Sequence, residues 1–396
     1  MGFRDSAFYF SQFLSRLADQ ILLFLVPLIV FQITGSVGWS GVAFFIETLP
    51  RFVAFPIAGI LADRLPAYRL IRWSQGLRAA VCVIGSLGAL SAGGIGWLLF
   101  LSAVSGALTT QAWIAREGIL PQLFPGQRLE KILSATTLAD QLGMVLGPLV
   151  AALMLAWMPW EYAVGATALL FLLADQVLLL WWRRVKPVIA DPAPASGPWY
   201  QPLRIAFGHI QRLPGLKMTI FLAVGVNLVL GVTLATAAAL VTGALAQSDQ
   251  NYALLQTAGA AMTVLILTII ARKPIPVGVL GGLAYGMIAL GGFLTGIAQH
   301  PAVYAIGFLL IIGFDKMFAV YMRSLRQRLI PAQDFGKTTG VIVLLNNLSQ
   351  PLAGALVGFT AGPEEARVLI LIITACVFLS GSAALVAVRR AVQGSR

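Results

Sequence analysis

The chain has 396 residues, of which 59% are hydrophobic and 11% are charged, and its mean hydropathy is +0.87. These values are typical of a membrane protein and exclude a water-soluble globule, a disordered chain and a fibrous repeat. The net charge is +12. Each of the two cysteines, Cys82 and Cys376, lies in an apolar run, so the sequence offers no disulfide framework and no metal site.

The apolar residues are concentrated in twelve stretches that are long enough to cross a bilayer. A helix needs about 20 such residues to span the hydrocarbon with its backbone groups satisfied. In chain order the stretches are 8–33, 39–62, 70–91, 96–120, 129–157, 160–182, 216–245, 251–271, 277–297, 301–322, 336–360 and 366–388. They predict an all-α membrane protein with twelve transmembrane helices.

Most of the cations lie in connectors on one side of these spans. The connectors within 64–72, 116–131, 272–273 and 323–337 are rich in lysine and arginine, whereas the opposite connectors hold almost none. The positive-inside rule therefore predicts that both termini are cytoplasmic. Because topology explains the basic charge, no nucleic-acid partner is needed.

One proline-rich and polar segment interrupts the apolar pattern and divides the chain. We predict a first six-helix bundle at 1–186, a cytoplasmic linker with one short amphipathic helix at 187–214, and a second bundle at 215–396. Two short matches indicate that the halves are repeats: Arg-x4-Pro at 116–121 and 326–331, and Pro-Leu-x-x-Ala-Leu at 148–153 and 351–356. Parallel repeats predict a substrate cavity between the halves near the membrane midplane.

The loop after the second span resembles the loop 2–3 signature of the major facilitator superfamily. The matching residues are Gly59, Asp63, Arg64, Arg69 and Arg72. Pro66 and Ala67 depart from the signature, which implies a differently arranged contact between the halves. The resemblance implies the superfamily fold, with two pseudo-symmetric bundles and alternating access. It also implies a monomeric multi-pass carrier in the bacterial inner membrane that is not an enzyme, has no cofactor and uses the proton gradient.

A second motif resembles a subset of that superfamily. Gly143, Gly147 and Pro148 match the Gly-x3-Gly-Pro motif of its antiporters and drug exporters, although the same pattern also serves ordinary close packing. The arginine that many proton-coupled exporters carry in the fourth span is replaced by Gln111. Residues 14–20 are similar to exporters of enterobactin and other siderophores, and more faintly to bacterial ferroportin-like carriers.

Ionisable residues inside the spans are the candidate site, because burying a charge in a bilayer is unfavourable without a partner or a cavity. Arg16 and Asp19 share a face of the first span, and Glu47 and Arg51 are four residues apart in the second. A carboxylate that faces two aqueous pools in turn can pick up and release a proton. We predict this role for Asp19 first, then for Glu47 and Asp140. The alternative is that Arg16–Asp19 and Glu47–Arg51 are neutralised pairs that hold helices together.

The predicted substrate site combines these charges with uncharged polar residues of the second half. Its residues are Arg16, Asp19, Glu47, Arg51, Arg78, Asp315, Lys316, Asn227, Asn346, Asn347 and Gln350. The intramembrane cations favour an acidic solute, since arginine binds carboxylates bidentately.

We therefore expect a proton-coupled carrier in the lipid bilayer that exports a siderophore or similar acidic metabolite by exchange for protons. Three alternatives remain: a multidrug exporter, a ferroportin-like carrier of divalent metal, and a lipid flippase. No metal site is expected, since His209 and His300 fall in the linker and in an external loop.

Overall fold

The structure is a computed structural model that describes residues 3–124, 129–187, 201–213, 215–272, 275–331 and 335–394. These residues are almost entirely helical. The α-helices are α1 (Phe3–Thr34), α2 (Val37–Arg64), α3 (Ala67–Ala92), α4 (Gly96–Leu123), α5 (Leu129–Trp157), α6 (Trp160–Val185), α7 (Gln201–Arg212), α8 (Leu216–Ala238), α9 (Asp249–Arg272), α10 (Val277–Ile297), α11 (Pro301–Leu329), α12 (Phe335–Asn347), α13 (Ser349–Gly358) and α14 (Pro363–Gly394). A π-helix, Ala239–Ala244, continues α8.

Within the described ranges, eleven helical segments are long and apolar enough to cross a membrane. They correspond to eleven of the twelve predicted spans, so the all-α membrane class is confirmed. The predicted second span forms α2, which has 28 residues but is not among the eleven. Glu47 and Arg51 lie in the middle of α2, and the side chains at 56, 60, 63 and 64 lie outside the described residues. The twelfth span and the cytoplasmic termini remain predictions.

The predicted eleventh span is not one continuous helix. α12 ends at Asn347 and α13 begins at Ser349, although together they form one of the eleven segments. Pro351 has no N–H, so it cannot donate to the carbonyl of Asn347 four residues earlier. The Ser349 hydroxyl donates to the carbonyl of Asn346 at 2.6 Å and stabilises the break. Pro148, its counterpart in the repeat motif, lies inside the continuous helix α5.

The chain divides into two compact units, each made of three segments of the chain. The first unit comprises Met1–Gly35, Ile46–Ser196 and Ser248–Thr257, and the second comprises Ser36–Phe45, Gly197–Gln247 and Ala258–Arg396. The start of α2 therefore belongs to the second unit, and the start of α9 belongs to the first. The predicted linker lies partly outside the described residues, and its described part contains α7.

In the first unit, α1 packs against α5 and α6, while α3 packs against α4 and α6. Small residues allow α5 to approach α1: a Cβ atom on Gly143 would lie 2.9 Å from the Arg16 side chain, and one on Gly147 would overlap Gln20. One end of the unit is filled by an aromatic cluster of Phe8, Tyr9, Phe124 and Trp181.

In the second unit, α10 and α11 touch through their backbones, because a Cβ atom on Gly291 would lie 2.6 Å from the Gly307 carbonyl oxygen. The first turns of α2 approach α13 in the same way, with Gly41 against Gly354 and Gly358. The amphipathic helix α7 packs on α12 and α8. Both units therefore use glycine to bring helices into direct contact.

Candidate functional site

A fully satisfied ion pair occupies the interior of the first unit. Arg78 of α3 donates to Asp19 of α1 at 2.7 Å, and the two side chains are only 1% and 8% exposed. Arg78 also donates to the Ser15 hydroxyl at 3.0 Å and to the Ser74 carbonyl at 3.1 Å. Thr109 of α4 donates to the same Asp19 oxygen at 3.0 Å. The charges of Arg78 and Asp19 are thus matched within the protein.

The same arginine also contacts α6. Its guanidinium lies 4.5 Å from the ring centre of Phe171, a cation–π arrangement. Arg78 therefore joins α1, α3, α4 and α6. Sequence spacing had matched Asp19 with Arg16 on its own helix, whereas the structure matches Asp19 with Arg78 across helices. This is the arrangement expected of a group that holds helices together.

Glu47 of α2 has a contrasting environment. Its side chain is only 4% exposed, and among the described residues neither carboxylate oxygen has a hydrogen-bond donor. Arg51, one turn further along α2, forms an ion pair with it at 3.6 Å, a distance too long for a hydrogen bond. The Arg51 side chain is 23% exposed. α4 lies directly against this turn, since Thr110 donates to the Arg51 carbonyl at 2.8 Å.

Arg16 lies on the face of α1 that meets α5. Its side chain is half-buried, and its Nε atom has no hydrogen-bond partner in the described part of the chain. The charges of Asp140, Asp19, Arg51 and Arg116 all act on it electrostatically. Arg16 therefore lies within electrostatic range of Arg51, although they lie on different helices.

Asp140 of α5 completes this group of charges. Gln12 of α1 donates to it at 3.0 Å, and Arg116 of α4 donates to its two oxygens at 3.5 and 3.4 Å. Arg116 also donates to the adjacent Glu117 at 3.2 Å. The long bonds from Arg116 leave Asp140 less tightly held than Asp19.

These side chains form what we call the first-unit polar cluster. Its members, from α1, α2, α4 and α5, are Gln12, Arg16, Glu47, Arg51, Arg116 and Asp140. Its three arginines are matched by three carboxylates, Glu47, Asp140 and the Glu117 side chain that Arg116 binds at 3.2 Å, so its formal charges balance. All of its members except Asp140 have a buried polar atom without a partner among the described residues. Such atoms are available to bind the charged or polar groups of a solute.

Among the loop 2–3 residues, Arg72 binds a carboxylate outside this cluster. Arg72 donates to both oxygens of Asp175 at 2.8 Å and so ties α3 to α6. Arg69 is exposed, and a Cβ atom on Gly59 would meet nothing within 4 Å. The side chains of Asp63 and Arg64 lie outside the described residues.

The predicted residues of the second half are dispersed over four helices, α8, α11, α12 and α13. Lys316 of α11 donates to its neighbour Asp315 at 2.7 Å. Asn227 of α8 donates to the Ala223 carbonyl of its own helix at 2.8 Å. Asn346 is buried, with its side-chain oxygen unpaired among the described residues, and it lies with Asn347 and Gln350 at the break between α12 and α13.

Comparison with known proteins identifies the family. The model of the major facilitator superfamily matches residues 8–354, most of the chain. The chain belongs to the major facilitator superfamily. This superfamily chain is similar in fold to a bacterial homologue of the iron transporter ferroportin in its inward-facing state, with 16% identity, a TM-score of 0.72, and coverage of 96% of this chain and 98% of the homologue.

Two further solved structures have similar folds. The nucleoside transporter NupG has 12% identity and a TM-score of 0.75, with 96% of this chain and 99% of NupG covered. A POT peptide transporter in complex with sulfate has 16% identity and a TM-score of 0.76, with 98% and 96% covered. No curated protein sequence matches the chain.

Membership of the superfamily confirms that the protein is a membrane-embedded transporter of small molecules and not an enzyme. Sequence reasoning missed the residues that complete each charged group, namely Gln12, Ser15, Thr109 and Phe171. Spacing along one helix identifies neighbours on that helix only, so it carries no signal for these contacts between helices.

Proposed function

We propose that this superfamily member is a proton-coupled secondary transporter of small acidic organic solutes, and that the first-unit polar cluster binds both solute and proton. The observation that carries the proposal is the presence of three arginines in this cluster, Arg16, Arg51 and Arg116, whose Nε atoms are buried and have no partner among the described residues. Ionisable groups inside membrane spans are costly and mark substrate and proton pathways.

Arg16 and Arg51 are the proposed solute-binding cations. Their planar guanidinium groups can hold a carboxylate or catecholate oxygen pair, and the partial exposure of Arg51 gives a solute access to it. Arg78 is removed from this role, because Asp19, Ser15 and Ser74 already occupy its donors. The proposed solute contacts of the second half are Lys316, Asn227, Asn346, Asn347 and Gln350, with Asp315 as the partner of Lys316.

Glu47 is the proposed proton-binding carboxylate, ahead of Asp140 and Asp19. Asp19 has an arginine and a threonine as hydrogen-bond donors, whereas Glu47 has only the 3.6 Å ion pair with Arg51. The charge of Glu47 is therefore the least supported by its surroundings, and loss of that charge disrupts the fewest contacts.

The remaining proposals concern the identity of the solute, the direction of transport and the membrane in which the carrier lies. A siderophore suits the cluster because several negatively charged oxygens on one molecule can engage several arginines. Export rests on the resemblance of Gly143, Gly147 and Pro148 to the exporter motif. We place the carrier in the bacterial inner membrane, as a monomer with twelve spans and both termini in the cytoplasm.

Transport by the purified protein in liposomes tests the proposal. Labelled citrate and a catechol carboxylate should be carried, and a lipophilic phosphonium cation should not compete with them. Arg51→Gln should abolish transport, whereas Arg212→Gln, at an exposed arginine of α7, serves as the matched control and should retain it. Carriage of the phosphonium cation without carriage of either acid would replace the proposal by the multidrug alternative.

A further inference from the structure

Resting on the proposed function, we infer that Glu47 and an anionic solute compete for Arg51. A proton on Glu47 and an anion on Arg51 are consequently bound together and carried across the membrane in the same direction. This coupling is opposite in sign to the exchange of solute for protons that the exporter motif predicts. Under an inward proton gradient it drives uptake of the acidic solute in place of export.

The first step is the geometry of the pair. Glu47 and Arg51 lie one turn apart on α2, with 3.6 Å between Oε1 of Glu47 and Nη2 of Arg51. Glu47 is 4% exposed and Arg51 is 23% exposed. A solute can therefore reach the guanidinium from the open side, while the carboxylate holds it from the buried side.

The second step is what surrounds Glu47. On its own helix, Arg51 is the charged group that acts on it among the described residues. From α4, Gly106 lies against the Glu47 carbonyl and the Arg51 side chain, and contributes no charge. From α9, the Tyr252 phenol is within electrostatic reach of Glu47 and receives a hydrogen bond from Gln256 at 2.9 Å. From α1, Arg16 senses the charge of Arg51. Arg51 is therefore the positive charge that balances Glu47.

The third step is linkage. While Glu47 is ionised, an anion that binds Arg51 must displace a carboxylate that would then remain buried without a counter-charge. Once Glu47 is protonated, Arg51 has no competing carboxylate and the anion binds more tightly. Linkage is reciprocal, so the bound anion strengthens proton binding by the same factor. A carrier that moves with both ligands or with neither carries them in the same direction.

A cationic solute would give the opposite result. It would compete with the proton for Glu47 itself, so that one ligand would bind only when the other had left. Exchange for protons therefore suits a cationic cargo at this pair, and cotransport suits an anionic one. The sign of the coupling follows from the charge of the solute.

The experiment measures binding of labelled toluenesulfonate to the purified full-length protein, because the charge of this probe is constant between mildly alkaline and mildly acidic pH. We expect its affinity to rise as the pH falls, by a factor of about 5 to 150, which is the usual range for coupled sites. Glu47→Gln should bind at every pH with the high affinity that the wild type shows in acid. Glu364→Gln, at an exposed glutamate of α14, is the control and should keep the wild-type dependence.

A second measurement needs no variant and so does not depend on the folding of Glu47→Gln. Addition of toluenesulfonate to wild-type protein in weakly buffered solution should take up protons from the medium. Release of protons, or binding whose affinity does not change with pH, would overturn the inference and leave the acidic-solute function standing. Failure of every acidic probe to bind at any pH would overturn the proposed function itself.

Discussion

Removal of the Asp19 charge should make the first unit easier to unfold. Neutralising a carboxylate that served only to carry a proton would leave the fold intact. Asp19→Asn keeps an oxygen for Thr109 but leaves the Arg78 guanidinium without its counter-charge. Both side chains are almost completely buried, so solvent does not screen the loss. Removing one partner of a buried ion pair costs about 3–5 kcal/mol, or roughly two to four powers of ten in the folding equilibrium.

Cys82 provides an assay for this loss. It is a buried free cysteine on α3, one turn after Arg78, whereas Cys376 is exposed. In a Cys376→Ser background, a maleimide should label Cys82 only when this part of α3 opens. Asp19→Asn should accelerate labelling in a mild denaturant by more than a hundredfold. The double variant Asp19→Leu with Arg78→Leu, which removes both charges, should label more slowly than the single variant.

The reasoning would be refuted by an Asp19→Asn protein that labels at the wild-type rate and yet has lost proton-driven transport. Such a result would return Asp19 to the proton-carrying role and would make Arg78 its regulator. Equal destabilisation by the single and double variants would also contradict the argument, because the penalty would then not come from the uncompensated charge.

Three further outcomes are expected. Gly147→Ala should destabilise the protein by about 1–3 kcal/mol, because the added methyl group would overlap Gln20. Gly76→Ala is the control, since a Cβ atom there meets nothing within 4 Å, and it should be neutral or stabilising by up to about 1 kcal/mol. Thermal unfolding measures both. Arg72→Gln should lower the free energy of unfolding by about 1.5–3 kcal/mol, since it breaks two charge-assisted hydrogen bonds to Asp175. An unchanged midpoint of unfolding in urea would contradict this prediction. Pro351→Ala should restore the N–H that continues α12 into α13, and faster exchange of the backbone amides after Ser349 would speak against this.

The lengths and positions of the helices could be predicted from the sequence because each span must satisfy its own backbone hydrogen bonds in lipid. That requirement makes apolar length a direct signal. The break before Pro351 could not be predicted from the proline alone, because Pro148 occupies the same motif in a continuous helix. The difference at Pro351 includes Ser349, whose hydroxyl binds the preceding turn.

The candidate site could be predicted as a set of residues but not as a set of pairs. Intramembrane charges are rare, so their positions are evident in the sequence. Their partners depend on how neighbouring helices are rotated about their axes. Arg78 meets Asp19 because α3 turns the face that carries Arg78 toward α1. The spacing of residues along either helix does not reveal this rotation.

The two arginine–carboxylate pairs of the first unit show why hydrogen bonding, and not the mere presence of charge, separates scaffold from site. Arg78 and Asp19 share one short bond and are further held by Ser15 and Thr109, so a solute would gain little by approaching either. Glu47 and Arg51 are also paired and also lie within the spans, but their contact is long. Both Glu47 carboxylate oxygens and the Arg51 Nε atom lack a hydrogen-bond partner among the described residues. A pair that holds itself weakly can exchange its partner for a solute or a proton at low energetic cost. The first pair is therefore suited to stabilising the bundle, and the second to binding what the bundle transports.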